Sequence, residues 1–284
     1  GSEKNQIVMV NEKMRIIHIP GMEKVPKKDL IYHVPQFTSN VSDFMKREKR
    51  TYDIVHSHYY LSALVGLEIA QRKKIPHIVT FHTLGMAKKL FGGKEEKKRI
   101  TLEREIAQKT DRIIVSTPLE RNELVEDYGV DGDKIDIVTP GVDHTVFKPK
   151  PKEKVRDNLG IPLNRKVIVF AGRIDPIKGI SVFIEALGMM RKNQGEFHTH
   201  VCTYLIGGDI EKDAFWEIPE VVKIQNKIQE LDLACCVEFI GAKPHEVLAL
   251  YYAAADIVVA PSLYESFGLV ALEAMAVGTP VLGS

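Results

Sequence analysis

The stretch Gly172-Arg173-Ile174-Asp175-Pro176-Ile177-Lys178-Gly179 follows the apolar run Lys166–Gly172 and places two cations five residues apart in one loop. A guanidinium offers a planar fork to phosphate oxygens, and an ammonium offers a compact point charge. Arg173 and Lys178 together can neutralise a diphosphate without a metal ion. The competing reading makes both of them solvated loop cations with Asp175 as partner. A second stretch runs Pro261-Ser262-Leu263-Tyr264-Glu265-Ser266-Phe267-Gly268-Leu269 and leads into Glu273. A strand ending at Pro261 and a helix beginning near Ser266 or Phe267 leave the amides of Phe267, Gly268 and Leu269 open to an anion. Gly268 lets a ligand come close to the backbone. Glu265 precedes the helix and Glu273 lies in its first turns, so one can face a sugar while the other accepts from vicinal ribose hydroxyls. The bland alternative makes Glu265 a helix-start acid and Glu273 a surface residue. Glu273 stands inside the apolar stretch Leu269–Val277, which argues against the surface reading.

Other chemically able residues carry weaker signals. By position alone, His82 in Thr80-Phe81-His82-Thr83-Leu84 reads as a core histidine at a strand end. His56 and His58 alternate along a strand and so share a face; zinc would need further ligands, and we read them as lining residues on the acceptor side. Asp131-Gly132-Asp133 has the spacing of a metal-binding acid pair but sits among turn formers and reads as a polar turn. Gly207-Gly208-Asp209 lacks the third glycine of a dinucleotide fingerprint, which argues against a nicotinamide oxidoreductase.

Strand-like runs alternate with helix-like periodicity along the whole chain. The strands read as Ile7–Val10, Arg15–Ile19, Asp53–His58, His77–His82, Arg112–Thr117, Ile135–Thr139, Lys166–Gly172, His200–Gly207, Val237–Gly241, Asp256–Pro261 and Pro280–Gly283. Helices read over Leu61–Arg72, Arg99–Gln108, Leu119–Tyr128, Ile180–Arg191, Val221–Leu231, His245–Ala254 and Phe267–Val277. This order predicts an α/β protein with parallel sheets covered on both faces. The Pro- and Lys-rich segment Phe147–Lys154 reads as an exposed linker, which places a domain boundary near residue 149. The expected domains are 1–149 and 150–284.

The chain has 284 residues, 44% of them hydrophobic, which suffices for two domain cores. Lys and Arg number 39 against 38 Asp and Glu, so there is none of the basic excess that marks a nucleic-acid binder. Three cysteines, Cys202, Cys235 and Cys236, make neither a zinc knuckle nor a disulfide framework. They read as buried thiols of a reducing compartment, the cytoplasm. No apolar run is long enough to span a bilayer.

The acid pair in the form Glu-Ser-Phe-Gly-Leu…Glu-Ala…Gly-Thr-Pro-Val, preceded by Gly-Arg-x-x-x-x-Lys-Gly and by Pro140-Gly141-Val142-Asp143, resembles the retaining glycosyltransferases with the GT-B fold. Within that group, His56-Ser57-His58-Tyr59-Tyr60-Leu61-Ser62 resembles sucrose-phosphate synthases, sucrose synthases and the mycothiol-pathway glycosyltransferase. The resemblance implies two Rossmann-like doubly wound domains facing across a cleft, an acceptor-side domain first and a nucleotide-sugar domain second. It implies Arg173 and Lys178 on the donor diphosphate, Glu273 on the ribose, and Glu265 with the amides of Phe267, Gly268 and Leu269 at the donor sugar. It also implies His82 near that sugar and Lys88 six residues further on, with Lys89 as a competitor. The implied reaction moves a hexose from a nucleoside-diphosphate sugar, with uridine as the base, to an acceptor hydroxyl, with no cofactor and no metal. Sucrose or a related glycoside is one expected product. The alternatives are a non-catalytic nucleotide-binding fragment and a sugar-nucleotide epimerase of the same fold. The glycine-rich loop after the family's first strand and the family's C-terminal segment have no counterpart here, so both domains are expected to be incomplete and turnover weak.

Overall fold

The computed structural model describes residues 6–20, 25–26, 29–90, 97–193 and 200–284, apart from the side chains of Lys88 and Leu90. Its chain separates into two compact units, one of Gly1–Ala87 with Lys94–Thr139, the other of Pro140–Ser284 with Lys88–Gly93.

The first unit opens with β1 (Gln6–Met9) and β2 (Arg15–His18), which pair antiparallel in a two-stranded sheet of their own. These two strands therefore depart from the parallel arrangement that the alternating pattern predicts. The turn of three residues, Asn11-Glu12-Lys13, is too short for the crossover that parallel pairing needs. There follow α1 (Leu30–Glu48), β3 (Val55–His58), α2 (Tyr60–Lys73), β4 (His77–Thr80), α3 (Gly85–Leu90), α4 (Lys97–Lys109), β5 (Arg112–Val115), α5 (Pro118–Tyr128) and β6 (Ile135–Ile137). Strands β3-β4-β5-β6 form one parallel sheet in that order. The sequence reading misses α1, which carries Pro35 in its interior, where proline ordinarily breaks a helix. Local chemistry sets the ends of α5. Thr117 accepts from the Glu120 amide, Pro118 fills the first turn, and Gly129 closes the helix in the left-handed region.

The second unit runs α6 (Lys152–Leu159), β7 (Lys166–Ala171), α7 (Ile180–Asn193), β8 (Val201–Ile206), α8 (Asp213–Trp216), α9 (Pro219–Glu230), β9 (Val237–Phe239), α10 (His245–Ala254), β10 (Ile257–Ala260), α11 (Leu269–Ala276) and β11 (Val281–Gly283). All five strands are parallel, in the order β11-β10-β7-β8-β9. The period of two along β7 divides its side chains between two cores. Val167, Val169 and Ala171 pack with Ala249, Tyr252 and Ala274 on one face, while Ile168 and Phe170 pack with Ile180, Ile184 and Ile224 on the other. Both faces are covered, as a buried parallel sheet requires.

The segment read as an exposed linker is more structured than its composition suggests. Phe147 is buried in the second unit's core beside Tyr252, and Lys152 already begins α6. Arg156 of α6 donates to the Ala254 carbonyl at 2.9 Å and to Asp256 at 2.8 Å, which ties the helix to the start of β10. Asp131 accepts from the Asp133 amide at 3.0 Å and caps a turn of 3-10 helix, as its turn-forming neighbours predict.

Candidate functional site

Strands β7, β8 and β9 are laid down in one direction across the sheet, and β10 and β11 in the other. The order reverses between β7 and β10, so the loops leaving their carboxyl ends diverge there and open a crevice, the usual ligand position in a doubly wound sheet. Both anion-handling motifs leave from these two strands. The loop after β7 carries Arg173 and Lys178; the loop after β10 carries Glu265, Phe267 and Gly268, and Leu269 begins α11.

Backbone contacts lock the two loops together. The Leu263 amide donates to the Ile177 carbonyl at 2.8 Å. Gly179 has φ 67°, and a Cβ there would lie 1.8 Å from the Pro261 carbonyl oxygen, so this position accepts only glycine. The Lys178 ammonium then reaches the Glu265 carboxylate at 2.5 Å, and the Ser262 hydroxyl approaches the same oxygen at 3.4 Å. Asp175 is not the partner of the cations. Its carboxylate accepts from the Ile177 amide at 3.1 Å and caps the turn Pro176–Lys178, which fixes where Lys178 stands.

Helix α11 begins at Leu269, later than the sequence predicts, because Gly268 adopts φ 88° and serves as the cap. Phe267 and Gly268 thus precede the helix, and Leu269 holds its first position, where amides have no intrahelical acceptor. Glu273 lies on α11 and is half-buried. The buried Tyr252 hydroxyl donates to it at 3.4 Å. Burial raises its pKa above the ordinary carboxylate value, and nearby His245 and the Tyr252 bond offset part of that rise. Sequence reasoning missed Tyr252 and His245. They come from α10, and only the packing of α10 on α11 brings them to Glu273.

A cavity of about 290 Å³ adjoins Arg173, with Ile174, Gly208, Asp209, Lys212 and Phe215 among its walls. Lys212, a second cation beside Arg173 that the motifs do not flag, pairs with Asp209 at 2.6 Å. Gly208 makes no dinucleotide loop; with φ 76°, a Cβ there would strike the Phe215 ring at 2.1 Å.

In the first unit, His82 follows β4 with φ 62°, and Tyr59 follows β3 with φ 73° and ψ 152°. Their neighbours form a histidine cluster. His58 Nδ1 lies 2.8 Å from His82 Nε2, and His56 Nε2 lies 2.9 Å from the Thr80 hydroxyl. Partial burial lowers the pKa of His82, and the neighbouring His58 lowers it further. The strand-capping core histidine that position alone predicts is His77 instead. It is buried between the Ser57 and Thr110 hydroxyls, each at 2.9 Å, and burial pulls its pKa down to about 4. Lys88 belongs to α3, but its side chain lies outside the described residues, whereas Lys89 is exposed. Among the described residues, no group of three or more His, Cys, Asp or Glu side chains could hold a metal ion. Among the same residues, no helix is long and apolar enough to cross a membrane.

Two Rossmann-like units, the second with its cations and acids at the switch point of a doubly wound sheet, define the GT-B fold class. The Glycosyltransferase Family 4 profile matches residues 3–146, and the Glycosyl transferases group 1 profile matches residues 151–284. The chain belongs to this glycosyltransferase family. It is 35% identical, over 99% of its length, to D-inositol 3-phosphate glycosyltransferase of Corynebacterium glutamicum (strain R), of which it covers 68%. It is also 35% identical to D-inositol 3-phosphate glycosyltransferase 2 of Catenulispora acidiphila, with 92% of this chain and 62% of that protein covered. Sucrose-phosphate synthase from Thermosynechococcus elongatus superposes with a TM-score of 0.85 at 28% identity, over 98% of this chain and 67% of that one. Anabaena HepE, solved in complex with UDP and glucose, superposes with a TM-score of 0.71 at 20% identity, over 92% of this chain and 65% of that one. The chain thus spans about two thirds of the length of the curated relatives it matches.

Proposed function

We propose that the chain transfers a hexose from a UDP-linked donor to a hydroxyl of a small polar acceptor, with retention at the anomeric carbon. The observation that carries this reading is the Lys178–Glu265 pair at 2.5 Å, held where the β7 and β10 loops interlock beside the start of α11. A cation and a carboxylate so placed suit the two halves of the donor. The diphosphate gains charge as the glycosidic bond breaks, so Arg173, Lys178 and the amides of Phe267, Gly268 and Leu269 stabilise the departing group. Glu265 orients the sugar hydroxyls, and the carboxylate of Glu273 accepts from the ribose. His82 and Lys88 act from the donor-sugar side of the first domain. No protein nucleophile is assigned; the leaving phosphate oxygen takes the acceptor proton on the face it vacates.

The domains in this reading are residues 1–149 on the acceptor side and 150–284 on the nucleotide side. The relatives at 35% identity are named for inositol phosphate glycosylation, which favours a phosphorylated polyol acceptor over sucrose synthesis. UDP as the carrier is supported by the neighbour solved with UDP and glucose. Cys202 and Cys236 are buried as expected, whereas Cys235 is exposed; three free thiols suit the cytoplasm.

The test is a thermal-shift panel of UDP, ADP, GDP and their hexose conjugates, followed by product analysis with polyol phosphates. At a hundredfold excess over Kd, a bound nucleotide adds about 2.7 kcal/mol of stability. A shift by UDP and UDP-hexose and a glycosylated polyol phosphate are expected. No shift with any nucleoside diphosphate would overturn the reading.

A further inference from the structure

Helix α3 is six residues long and carries no acid in its first turn. A helix of that length is marginal in water on its own, and its first amides have no intrahelical acceptor. Two other helices supply the acceptors. The Gly85 amide donates to Glu103 Oε2 of α4 at 2.8 Å, and the Met86 amide donates to the Tyr128 hydroxyl of α5 at 3.0 Å. That hydroxyl donates in turn to the same Glu103 oxygen at 2.7 Å. Burial, and after it the charge of Glu103, raises the Tyr128 pKa, so the phenol keeps the proton of this bond. Arg99 Nε donates to Glu103 Oε1 at 2.7 Å, and Arg99 Nη2 donates to the Thr83 carbonyl at 2.8 Å. Glu103 therefore reaches three points on the segment that leaves β4: Thr83 through Arg99, Gly85 directly, and Met86 through Tyr128.

Gly85 shows how closely these parts meet. A Cβ there would lie 3.1 Å from Glu103 Oε2 and 3.1 Å from Ile100 Cγ1. The carboxylate cannot retreat without stretching its bonds to Arg99 and Tyr128. At the other end of the segment, His82 has φ 62°. Such a conformation persists where the surroundings over-determine it, and the hold of Arg99 on Thr83 is one restraint next to it.

We propose that Glu103 is a positioning residue for the transfer: with Tyr128 it caps α3 and sets the path of the backbone from His82 to Lys88. Both capping side chains are buried, so neither touches substrate. They act through the segment they hold, because fixing the Gly85 and Met86 amides fixes where the helix starts and hence where the Lys88 backbone stands. That His82 and Lys88 serve the donor sugar rests on the proposed function above.

The experiment compares the wild type with Tyr128→Phe, Glu103→Gln and Gly85→Ala. The control is Ile106→Val, which opens a small void at a buried α4 residue outside these bonds. Amide hydrogen exchange, read by 1H–15N correlation, should show Gly85 and Met86 protected in the wild type. In Tyr128→Phe and Glu103→Gln these two amides should exchange about tenfold faster, beyond any change at Ile113 and Val115 of β5. Gly85→Ala separates the cap from helix propensity. Alanine favours a helix over glycine, so propensity alone predicts more protection at Met86, whereas crowding of the Glu103 carboxylate predicts less, the expected result. In transfer assays kcat should fall in all three cap variants, by up to about a hundredfold for a displacement near 1 Å. UDP affinity, assigned to Arg173 and Lys178 of the second unit, should stay at the wild-type value, and Ile106→Val should change neither. Unchanged exchange at Gly85 and Met86 in Tyr128→Phe and Glu103→Gln would overturn the proposal, as would wild-type kcat in variants whose cap amides exchange fast. The proposed function fails separately: full transfer by both His82→Ala and Lys88→Ala would remove their role at the donor and leave the exchange results standing.

Discussion

Glu265→Gln keeps the size and reach of the side chain and removes its charge. In the structure that charge is engaged by Lys178, at 2.5 Å, with the two side chains 41% and 19% exposed. A pair this open to water contributes about 0.2–1 kcal/mol. Without ligand, Glu265 competes with a diphosphate for Lys178, so the glutamine variant should bind free UDP more tightly, by about 1.4- to 5-fold at 1.4 kcal/mol per tenfold. UDP-hexose should behave oppositely. Exchanging a charged hydrogen bond to a sugar hydroxyl for a neutral one loses about 1 kcal/mol beyond the gain at the phosphate, or roughly fivefold. The preference for UDP-hexose over UDP should therefore fall by about 7- to 25-fold, the product of the two effects. Calorimetric titration of both ligands into both proteins measures this. Raised salt should shrink the UDP gain, because the competing pair is partly exposed and screened. Weaker binding of free UDP by Glu265→Gln, or an equal change for the two ligands, would refute the competition.

Arg173→Ala should weaken UDP binding by about 1.5–3 kcal/mol, the worth of a charged hydrogen bond, and a chelator should leave affinity unchanged in both proteins; a large chelator effect would show that a metal holds the diphosphate. Glu273, whose pKa is raised by burial, gives two pH effects of opposite sign. Between the unfolded value of 4.5 and its raised folded value, the native carboxyl holds a proton that the unfolded chain has released, so stability rises as pH falls through that window. UDP affinity should fall over the same window, because the carboxylate that accepts from the ribose is lost, and Glu273→Gln should abolish both trends in denaturant and binding titrations. Arg99→Met leaves Glu103, fully buried and bonded to the Gly85 amide and the Tyr128 hydroxyl, without its cation. Such a loss costs about 3–5 kcal/mol, and a loss below about 1 kcal/mol in urea unfolding would contradict the burial argument.

Much of the architecture follows from local chemistry. The strands of the second unit fall on the predicted runs Lys166–Gly172, His200–Gly207, Val237–Gly241, Asp256–Pro261 and Pro280–Gly283, because a strand buried on both faces must be largely apolar. The position of Arg173 and Lys178 after β7, and of Glu265 after β10, is equally local, since each motif abuts its strand in sequence. Alternation of strand with helix suits the parallel sense, because parallel neighbours need a crossover of about a dozen or more residues, which a helix supplies.

Other features depend on contacts between segments far apart in the chain. The Pro- and Lys-rich stretch looks exposed, yet Phe147 is buried because α10 supplies a surface for it. Helix α1 tolerates Pro35, and no periodicity rule anticipates that. The start of α11 moves to Leu269 because Gly268 takes a left-handed conformation that other residues resist. Lys178 finds Glu265 across 87 residues of sequence while nearby Asp175 is occupied with its own turn. The sequence alone determined which residue types stand at which strand ends, since periodicity and turn chemistry act over a few residues. Which of those residues meet was decided only by the order of strands in the sheets, because the reversal between β7 and β10 and the register of β3 on β4 set distances that no local spacing encodes.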